Sequence, residues 1–360
     1  MSVNIEKILK EKSKEVDAII EKYIPRKYTK EFLDFTFGRP KYRYNIDAVN
    51  KTISDPVWDF LDRGGKRWRP VLFLLVTEAL GGNVKKVSDF VIIPELIHNG
   101  TIIVDDLEDN SEERRGKPAL HRIFGNDIAI NAGNLLYYLP LLPIVKNNNR
   151  FSSETLLKVY NTYVQEMMNL SLGQATDIAW HKGMANADNI SEEEYFQMCA
   201  NKTGCIARLS VEIAAILAQA DENTVERLGK FAESIGVAFQ IQDDILNLVG
   251  EEFTKKGWKG GAGEDITEGK RTLLVIHTLK KANDRDKKRL LEILNMHTTD
   301  QKMRNETIEI IKKYGSIEYA KEKAKAMVKE AWDGIEKILP ESDAKEKLKA
   351  FAYYLIERKI

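Results

Sequence analysis

The chain has 360 residues, of which 43% are hydrophobic and 31% are charged, and its 55 basic residues balance its 55 acidic residues. This length is sufficient to bury a sizeable core, whereas the balanced charge supplies no global field for recruiting nucleic acid or an acidic membrane surface. The two cysteines, Cys199 and Cys205, match no metal or redox spacing, which suits a reducing cytoplasm. Glu6, Lys7 and Lys10 interrupt the apolar N-terminus, so we expect no signal peptide. The most apolar stretches are too short or too interrupted to predict an integral membrane segment.

Apolar residues recur at three- and four-residue steps along most of the chain, which predicts helices, and alternating strand patterns are scarce. The helical segments predicted by this period are 71–80, 90–104, 155–172, 195–220, 225–249, 271–279, 317–338 and 344–360. Ser191 followed by Glu194 forms a capping box, which predicts the start of the helix that carries Tyr195. Linkers and internal repeats are not evident. We therefore predict one all-α domain over residues 31–360, with residues 1–30 as a helical appendage whose apolar stripe packs on the protein.

The first acidic motif lies within the sequence VDDLEDNSEERRGKPALH at residues 104–121. Asp105 and Asp109 are one helical turn apart and project from the same face. Stacked carboxylates repel one another unless a cation lies between them, and Mg²⁺ prefers carboxylate oxygens while leaving coordination sites for phosphates. A solvated acidic helix end is the alternative, and this motif alone leaves both readings open.

A second acidic motif follows an apolar run at residues 235–239 and reads QIQDDILN at residues 240–247. Asp243 and Asp244 are costly there if they are buried without partners. Two such helices can face each other across a bundle cavity, where helical bundles commonly build their metal sites. The pair of motifs therefore predicts a clamp for a Mg²⁺-bound diphosphate.

Four short basic units accompany the acidic motifs, and arginine and lysine side chains are the usual partners of phosphate oxygens. Their residues are Lys66 and Arg69 in GGKRWR, Arg114 and Arg115 in RRG, Lys202 in KTG, and Lys270 and Arg271 in GKRT. Each unit alone is typical of surface charge, but together and in this order they indicate a diphosphate site.

With these motifs taken together, the sequence resembles the trans-isoprenyl diphosphate synthases of the farnesyl and geranylgeranyl diphosphate synthase type. The resemblance covers residues 64–272 and is carried by GGKRWRP, ELIHNGTIIVDDLED, RRGKPALH, NKTG, FQIQDDILN and GEDITEGKRT, in the order of that family. It implies a single large helical bundle of the isoprenoid synthase type with a central cavity. It also implies a cytoplasmic homodimer with the helix of residues 155–172 near the interface.

The resemblance further implies a role for each matching residue. Asp105 and Asp109 would bind two Mg²⁺ ions with Asp106 assisting, and Asp243 would hold a third ion with Asp244 nearby. The residues implied to contact the allylic diphosphate are Arg114, Lys202 and Lys270. Those implied to bind isopentenyl diphosphate are Gly65, Lys66, Arg69, His98 and Arg115. Thr203 and Gln240 would lie beside the allylic cation.

Two positions depart from the family pattern. Asn247 stands where many relatives have aspartate, which removes one negative charge, and we expect activity to survive. The loop of residues 257–265, GWKGGAGED, is one residue longer than usual, and Lys259 is the candidate for the family lysine.

The implied reaction is ionisation of an allylic diphosphate (dimethylallyl, geranyl or farnesyl), condensation with isopentenyl diphosphate and loss of a proton. Thr101, Gly100 and Ile97 lie roughly 6, 7.5 and 12 Å below the metal site at 1.5 Å per residue. In the family that the sequence resembles, a bulky residue at the first two levels floors the pocket and stops growth early. Here both are small and Ile97 is the candidate for a deeper floor, so the resemblance implies a product of twenty carbons over farnesyl diphosphate, with longer products as the alternative. On this placement, Gly100→Phe should shorten the product.

Three other interpretations compete with this one. A class I terpene cyclase also uses a DDxxD motif, but DDILN and GGKRWRP favour coupling. A regulatory synthase subunit would typically have lost the first acidic motif or its arginines, and both are intact. A purely structural helical protein is the remaining alternative.

Overall fold

The computed structural model describes residues 3–146, 149–249 and 263–357, and in these ranges the protein is helical apart from one short hairpin. The elements that precede the second half of the chain are α1 (Ile5–Tyr23), α2 (Lys30–Phe37), α3 (Ile46–Val49), α4 (Asp55–Asp62), α5 (Trp68–Ala79), α6 (Val84–Val87), α7 (Ile92–Glu108), β1 (Glu113–Arg114), β2 (Lys117–Pro118), α8 (Leu120–Phe124), α9 (Asn126–Tyr138) and α10 (Leu142–Lys146). Those that follow are α11 (Ser153–His181), α12 (Glu192–Cys199), α13 (Cys205–Leu217), α14 (Glu222–Val249), α15 (Glu264–Thr267), α16 (Leu273–Lys281), α17 (Asp284–Asn295), α18 (Gln301–Lys313), α19 (Ser316–Ile335) and α20 (Asp343–Glu357).

The centre of the bundle is α13, which packs against α5, α7, α11 and α14. Its side chains are buried on most faces, and its half-buried face carries Arg208 and Glu212, as expected for a helix at the centre of a bundle with one polar stripe. Around it, α7 packs on α9, and α14 packs on α19. The predicted all-α bundle is therefore confirmed, and the antiparallel pair β1–β2 is the only sheet in the described residues.

Within the described residues the predicted helices agree with the observed ones, and the capping box of Ser191 and Glu194 opens α12 as predicted. Residues 358–360 of the last predicted segment lie outside the described residues. One difference is informative. The predicted segment 195–220 is not continuous, because a π-helical turn at Ala200–Gly204 separates α12 from α13. Such turns are frequent at functional sites, and this one carries Lys202 and Thr203.

The N-terminal helix α1 is capped by Asn4, whose side chain accepts a hydrogen bond from the backbone of Lys7. Its apolar stripe, which includes Leu9, Val16 and Ile20, is buried in the same core as the bundle. The helix packs against α5, α7 and α20. The stripe thus lies on the protein itself, and we propose residues 1–30 as an appendage seated on the domain of residues 31–360.

Two helical segments, Val84–Glu108 and Asn126–Lys146, are long and apolar enough to cross a membrane by length and composition. In the first, 72% of the most apolar window is buried inside the bundle, and in the second, 44% is buried. Helices in the core of a bundle pass the same test, and α7 is a core helix because it packs against α5, α9 and α13. The apolar surface of the second segment is partly exposed.

Candidate active site

A cleft between α7, α11, α13 and α14 contains two adjoining chambers that share one group of lining residues. The shared residues are Arg69, His98, Ile102, Asp105, Lys202, Thr203, Phe239, Gln240 and Asp243. The polar chamber, about 690 Å³, adds Gly65, Lys66, Arg114, Arg115, Asp177, Asp244, Asp265, Lys270 and Arg271. The apolar chamber, about 1030 Å³, adds Thr101, Tyr137, Tyr138, Leu141, Tyr160, Tyr163, Val164, Met167 and Met168. Every catalytic or substrate-binding residue named from the sequence lines one of these chambers, except Asp106 and Asp109.

The first acidic motif ends α7, and Asp105 faces both chambers. Gln174 on α11 donates from Nε2 to Asp105 Oδ1 at 2.9 Å and to Glu108 Oε2 at 2.6 Å. Asp109 closes the last turn of α7, and its charge is among those that raise the pKa of Lys270. Asp105 and Asp109 therefore lie on the side of α7 that faces the basic residues of the cleft.

Asp106 points the other way and is fully buried. It accepts hydrogen bonds from Nε and Nη2 of Arg114, with Nε 2.8 Å from Asp106 Oδ1. Burial alone would lower the pKa of Arg114, but the charge of Asp106 overcomes it and the pKa is raised. Asp106 thus orients Arg114, which lines the polar chamber.

Lys202 projects from the π-helical turn, and its amine lies between two carboxylates. Its Nζ lies 2.6 Å from Asp177 Oδ2 and 3.2 Å from Asp105 Oδ1. Burial opposes its charge, but Asp105 and Asp177 outweigh this and raise its pKa. A Cβ on Gly173 would lie 2.3 Å from the backbone nitrogen of Lys202, so glycine is needed there for α11 to approach the turn.

The second acidic motif lies on α14 opposite the first. Asp243 lines both chambers, whereas Asp244 is buried. Asp244 accepts hydrogen bonds from the hydroxyl of Tyr195 at 2.7 Å and from Nε2 of Gln240 at 2.9 Å. The Oε1 of Gln240 accepts from the hydroxyl of Thr203 at 2.8 Å. Asp244 therefore fixes Gln240 in place, and Gln240 in turn fixes Thr203.

Asn247 also has a defined role in this region. Its Oδ1 accepts from the backbone of Asp265 at 3.2 Å, at the start of α15. Lys270 then pairs with Asp265 at 3.1 Å and with Glu268 at 2.5 Å. An amide at position 247 thus connects α14 to the segment that carries Lys270. Lys259 and the residues before Gly263 in the loop of residues 257–265 lie outside the described residues.

The cations at the other end of the polar chamber are crowded together. Burial lowers the pKa of Arg69 and of Arg115 to about 10 each, and the nearby charge of Glu95 only partly offsets this. Burial also lowers the pKa of His98 well below its usual value, and Arg69 and Arg115 add to the effect. Within the described part of the chain, Nε of Arg69 has no hydrogen-bond partner. This end of the chamber therefore suits a polyanion.

The apolar chamber is bounded by α7, α9 and α11. Thr101 lines it, whereas Gly100 and Ile97 are absent from its lining residues. Gly100 faces α9 instead, because a Cβ there would lie 2.9 Å from the carbonyl oxygen of Gly133 and 3.1 Å from the ring of Tyr137. Gly100 thus allows the close approach of α7 and α9, and it shapes the chamber through Tyr137.

Sequence reasoning did not single out Gln174, Asp177 or the tyrosines of the apolar chamber. Gln174 and Asp177 are three residues apart in GQATD, so they share a helical face, and this polar spacing within an apolar helix was an available signal. The tyrosines carried no such signal, because aromatic residues at helical spacing are typical of any core. Tyr163 donates from its hydroxyl to the carbonyl oxygen of Tyr137, a contact that depends on tertiary packing.

The fold and this cleft define a class of protein: an all-α bundle enzyme with facing acidic helices, a cationic chamber and an adjoining apolar chamber. The profile of the polyprenyl synthetase family matches residues 50–311. The short chain isoprenyl diphosphate synthase of Methanothermobacter thermautotrophicus is 35% identical over 312 residues, which cover 87% of this chain and 92% of that protein. The geranylgeranyl diphosphate synthase of Sulfolobus acidocaldarius is 33% identical, covering 82% and 88% of the two chains. The crystal structure of geranylgeranyl pyrophosphate synthetase from Pyrococcus horikoshii superposes with a TM-score of 0.83 at 32% identity, covering 98% of each chain.

The chain therefore belongs to the polyprenyl synthetase family and is a prenyltransferase of isoprenoid biosynthesis. The resemblance found from the sequence motifs is confirmed.

Proposed function

We propose that this enzyme condenses isopentenyl diphosphate with allylic diphosphates and releases geranylgeranyl diphosphate as its main product. The observation that carries the proposal is the continuity of the two chambers, because a cationic end and an apolar end share one wall. A diphosphate fits the first and a growing hydrocarbon chain fits the second. The apolar chamber, at 1030 Å³, lies at the top of the usual range for small-molecule pockets, about 300–1,000 Å³.

Mg²⁺ is the metal that the donor set fits best. Among the described residues, no three carboxylate, imidazole or thiol side chains come together as a ready-made cage. Mg²⁺ is usually held by one or two carboxylates together with substrate phosphates, so Asp105 and Asp109 on one side and Asp243 on the other suit three ions shared with the diphosphate. When bound, the ions would neutralise charge that develops on the departing diphosphate.

The side chains of the cleft account for the remaining steps. Arg114, Lys202 and Lys270 bind the allylic diphosphate, and its C–O bond breaks to give an allylic cation and free diphosphate. The hydroxyl proton of Thr203 is directed to Gln240, so the oxygen of Thr203 presents its lone pairs to that cation. The double bond of isopentenyl diphosphate, held by Lys66, Arg69 and Arg115 with Gly65 and His98, attacks the cation. The product then loses a proton to the released diphosphate.

The length of the product is set by the apolar chamber. We propose that Thr101 and the tyrosines of α9 and α11 determine how far the chain extends. Thr101 is small and lies one turn below Asp105, so it admits the first isoprene units. Gly100 acts indirectly, through the packing of α7 on α9, and Ile97 lies buried in the core below it. Dimethylallyl, geranyl and farnesyl diphosphates are all starters that this arrangement accommodates.

The exposed surface of α11 suits contact with a second copy of the chain. Five apolar side chains, each 36–58% exposed, form a stripe along this helix: Leu157, Tyr160, Val164, Met168 and Leu172. A stripe of this size is more typical of an interface than of open surface. Tyr160, Val164 and Met168 also line the apolar chamber, so a partner on this face would complete the chamber's side wall. We propose a cytoplasmic homodimer, and Met168→Glu should yield monomers in light scattering coupled to size-exclusion chromatography.

The proposed function is tested by incubating the purified enzyme with labelled isopentenyl diphosphate and each allylic starter. Elongation should require Mg²⁺, stop on addition of chelator and release one diphosphate for each addition. Failure to elongate any starter would reject the proposal in favour of a regulatory subunit, and formation of a cyclic hydrocarbon would reject it in favour of a cyclase.

A further inference from the structure

Arg67 follows Lys66 in the GGKRWR motif but does not line either chamber. Its backbone is left-handed, with φ 48° and ψ 34°, a conformation that costs energy for a residue with a side chain. The side chain is buried and bonded to three separate parts of the fold. Nη1 lies 2.8 Å from Glu95 Oε1, Nε lies 3.0 Å from Asp17 Oδ1, and Nη2 lies 3.0 Å from the carbonyl oxygen of Leu61.

Glu95 is the buried carboxylate at the centre of this arrangement, with 2% of its surface exposed. Its Oε1 also accepts from Nδ2 of Asn99 at 2.7 Å. Asn99 in turn accepts from Nη1 of Arg115 at 3.3 Å, and the same nitrogen donates to the carbonyl oxygen of Gly64 at 2.5 Å. A chain of contacts therefore runs from Arg67 through Glu95 to Arg115 and back to the glycine loop.

Three arginines feel the charge of this one carboxylate. The charge of Glu95 acts on Arg67, Arg69 and Arg115, yet only Arg67 forms an ion pair with it in the described residues. Arg69 and Arg115 face the polar chamber instead. A buried carboxylate without a partner is strongly disfavoured, so if Arg67 were absent Glu95 would draw one of the other two arginines toward itself.

We propose that Arg67 is a positioning residue that holds the Glu95 carboxylate and so keeps Arg69 and Arg115 available to isopentenyl diphosphate. This inference rests on the proposed function, in which Arg69 and Arg115 bind that substrate. This role explains why the residue after Lys66, whose left-handed backbone would favour glycine, is instead Arg67. It also connects α1 to the site, because Asp17 of α1 holds the outer side of the same guanidinium group.

The test is a double-mutant cycle on the KM values of the two substrates. Arg67→Gln should raise the KM for isopentenyl diphosphate about tenfold, which is less than the direct loss of a partner in a buried charge pair because Arg67 acts on the substrate only through Glu95. The KM for farnesyl diphosphate should stay within about twofold. Adding Glu95→Gln removes the competing carboxylate, so the double variant should return the KM for isopentenyl diphosphate to within about threefold of wild type. A merely structural role would not predict this recovery.

Asp17→Asn is the matched control, because it removes a contact of Arg67 but leaves Glu95 held, and it should not change either KM. Glu95→Gln alone should not raise the KM for isopentenyl diphosphate. The inference would be overturned if the KM of the double variant for isopentenyl diphosphate were no lower than that of Arg67→Gln. It would also be overturned if Glu95→Gln alone raised this KM tenfold, and that measurement can be made even if Arg67→Gln does not fold. If the wild type fails to couple isopentenyl diphosphate at all, the proposed function fails first; if it couples but the cycle shows no recovery, only the role of Arg67 fails.

Discussion

The two chambers of the cleft are built in different ways. The polar chamber collects side chains from the loop before α5, the hairpin, the π-helical turn, α14 and the segment around α15, and its charged groups are largely held by specific partners. The apolar chamber is enclosed mainly by α7, α9 and α11, and packing rather than polar bonding defines it. Individual hydrogen bonds and ion pairs therefore control the polar chamber, whereas side-chain volume controls the apolar one.

The largest effect is expected from Asp105→Asn, which removes one negative charge without changing the shape of the polar chamber. Loss of one electrostatic contact that acts in the transition state costs about 10²–10³ in kcat, and a metal-binding carboxylate should cost at least as much. The measurement is steady-state elongation of farnesyl diphosphate. Asp333→Asn, at an exposed ion pair on α19, is the control and should retain full activity. Equal activity of the two variants would contradict the assignment.

A smaller effect is expected from Asp177→Asn, which loosens Lys202. Because Lys202 serves the allylic diphosphate, the KM for farnesyl diphosphate should rise about tenfold, which is less than the complete loss of a buried charge partner because asparagine still accepts a hydrogen bond. The KM for isopentenyl diphosphate should change little, which is the opposite of the pattern predicted for Arg67→Gln. Thr176→Ala, one residue away on α11, where the hydroxyl donates only to the carbonyl oxygen of Leu172 in the same helix, is the matched control. A parallel rise in both KM values would show that the polar chamber is not divided into two diphosphate sites.

For the apolar chamber the expected change is in product length rather than rate. Thr101→Phe places a ring in the chamber and should shorten the main product by at least one isoprene unit, as seen by chromatography after dephosphorylation. Gly100→Ala should instead lower the free energy of unfolding by about 1–3 kcal/mol, because its Cβ forces α7 away from α9. A product that is unchanged in Thr101→Phe but shortened in Gly100→Ala would contradict the claim that Thr101, rather than Gly100, lines the apolar chamber.

The smallest effect concerns pH and His98. Burial, with Arg69 and Arg115, lowers the pKa of this histidine well below its usual value in the folded state. As pH falls below about 6.5, the unfolded chain binds a proton that the folded chain does not, so this group lowers the free energy of unfolding by up to about 1.4 kcal/mol per pH unit. Above that pH both states leave the histidine neutral, so this group does not change the free energy of unfolding. Denaturant titrations of the wild type and His98→Gln at pH 5.5 and 7.5 measure the difference, and identical pH slopes would contradict the burial of a neutral His98.

The same contrast explains what the sequence could and could not predict. Helical periodicity and the capping box of Ser191 correctly predicted the all-α fold, because both are local signals. Most residues of the polar chamber could also be predicted from the sequence, since they occur in short motifs with recognisable chemistry. Asp106 shows the limit: sequence reasoning grouped it with its acidic neighbours, but in the fold it faces Arg114 rather than the cleft.

The apolar chamber was harder to predict because its walls depend on how helices cross. Counting residues back from Asp105 placed Gly100 at the cavity, but helical rotation turns it toward Gly133. The π-helical turn at Ala200–Gly204 likewise has no local signature beyond a lysine and a glycine. It depends on the approach of α11 at Gly173, which is a tertiary contact.

The most direct test of chain elongation is the product formed from farnesyl diphosphate and labelled isopentenyl diphosphate in the presence of Mg²⁺. We expect mainly a single addition, giving a product of twenty carbons that retains its diphosphate. Release of farnesyl diphosphate unchanged, or its conversion to a product without incorporated label, would contradict the claim that the two chambers together perform chain elongation.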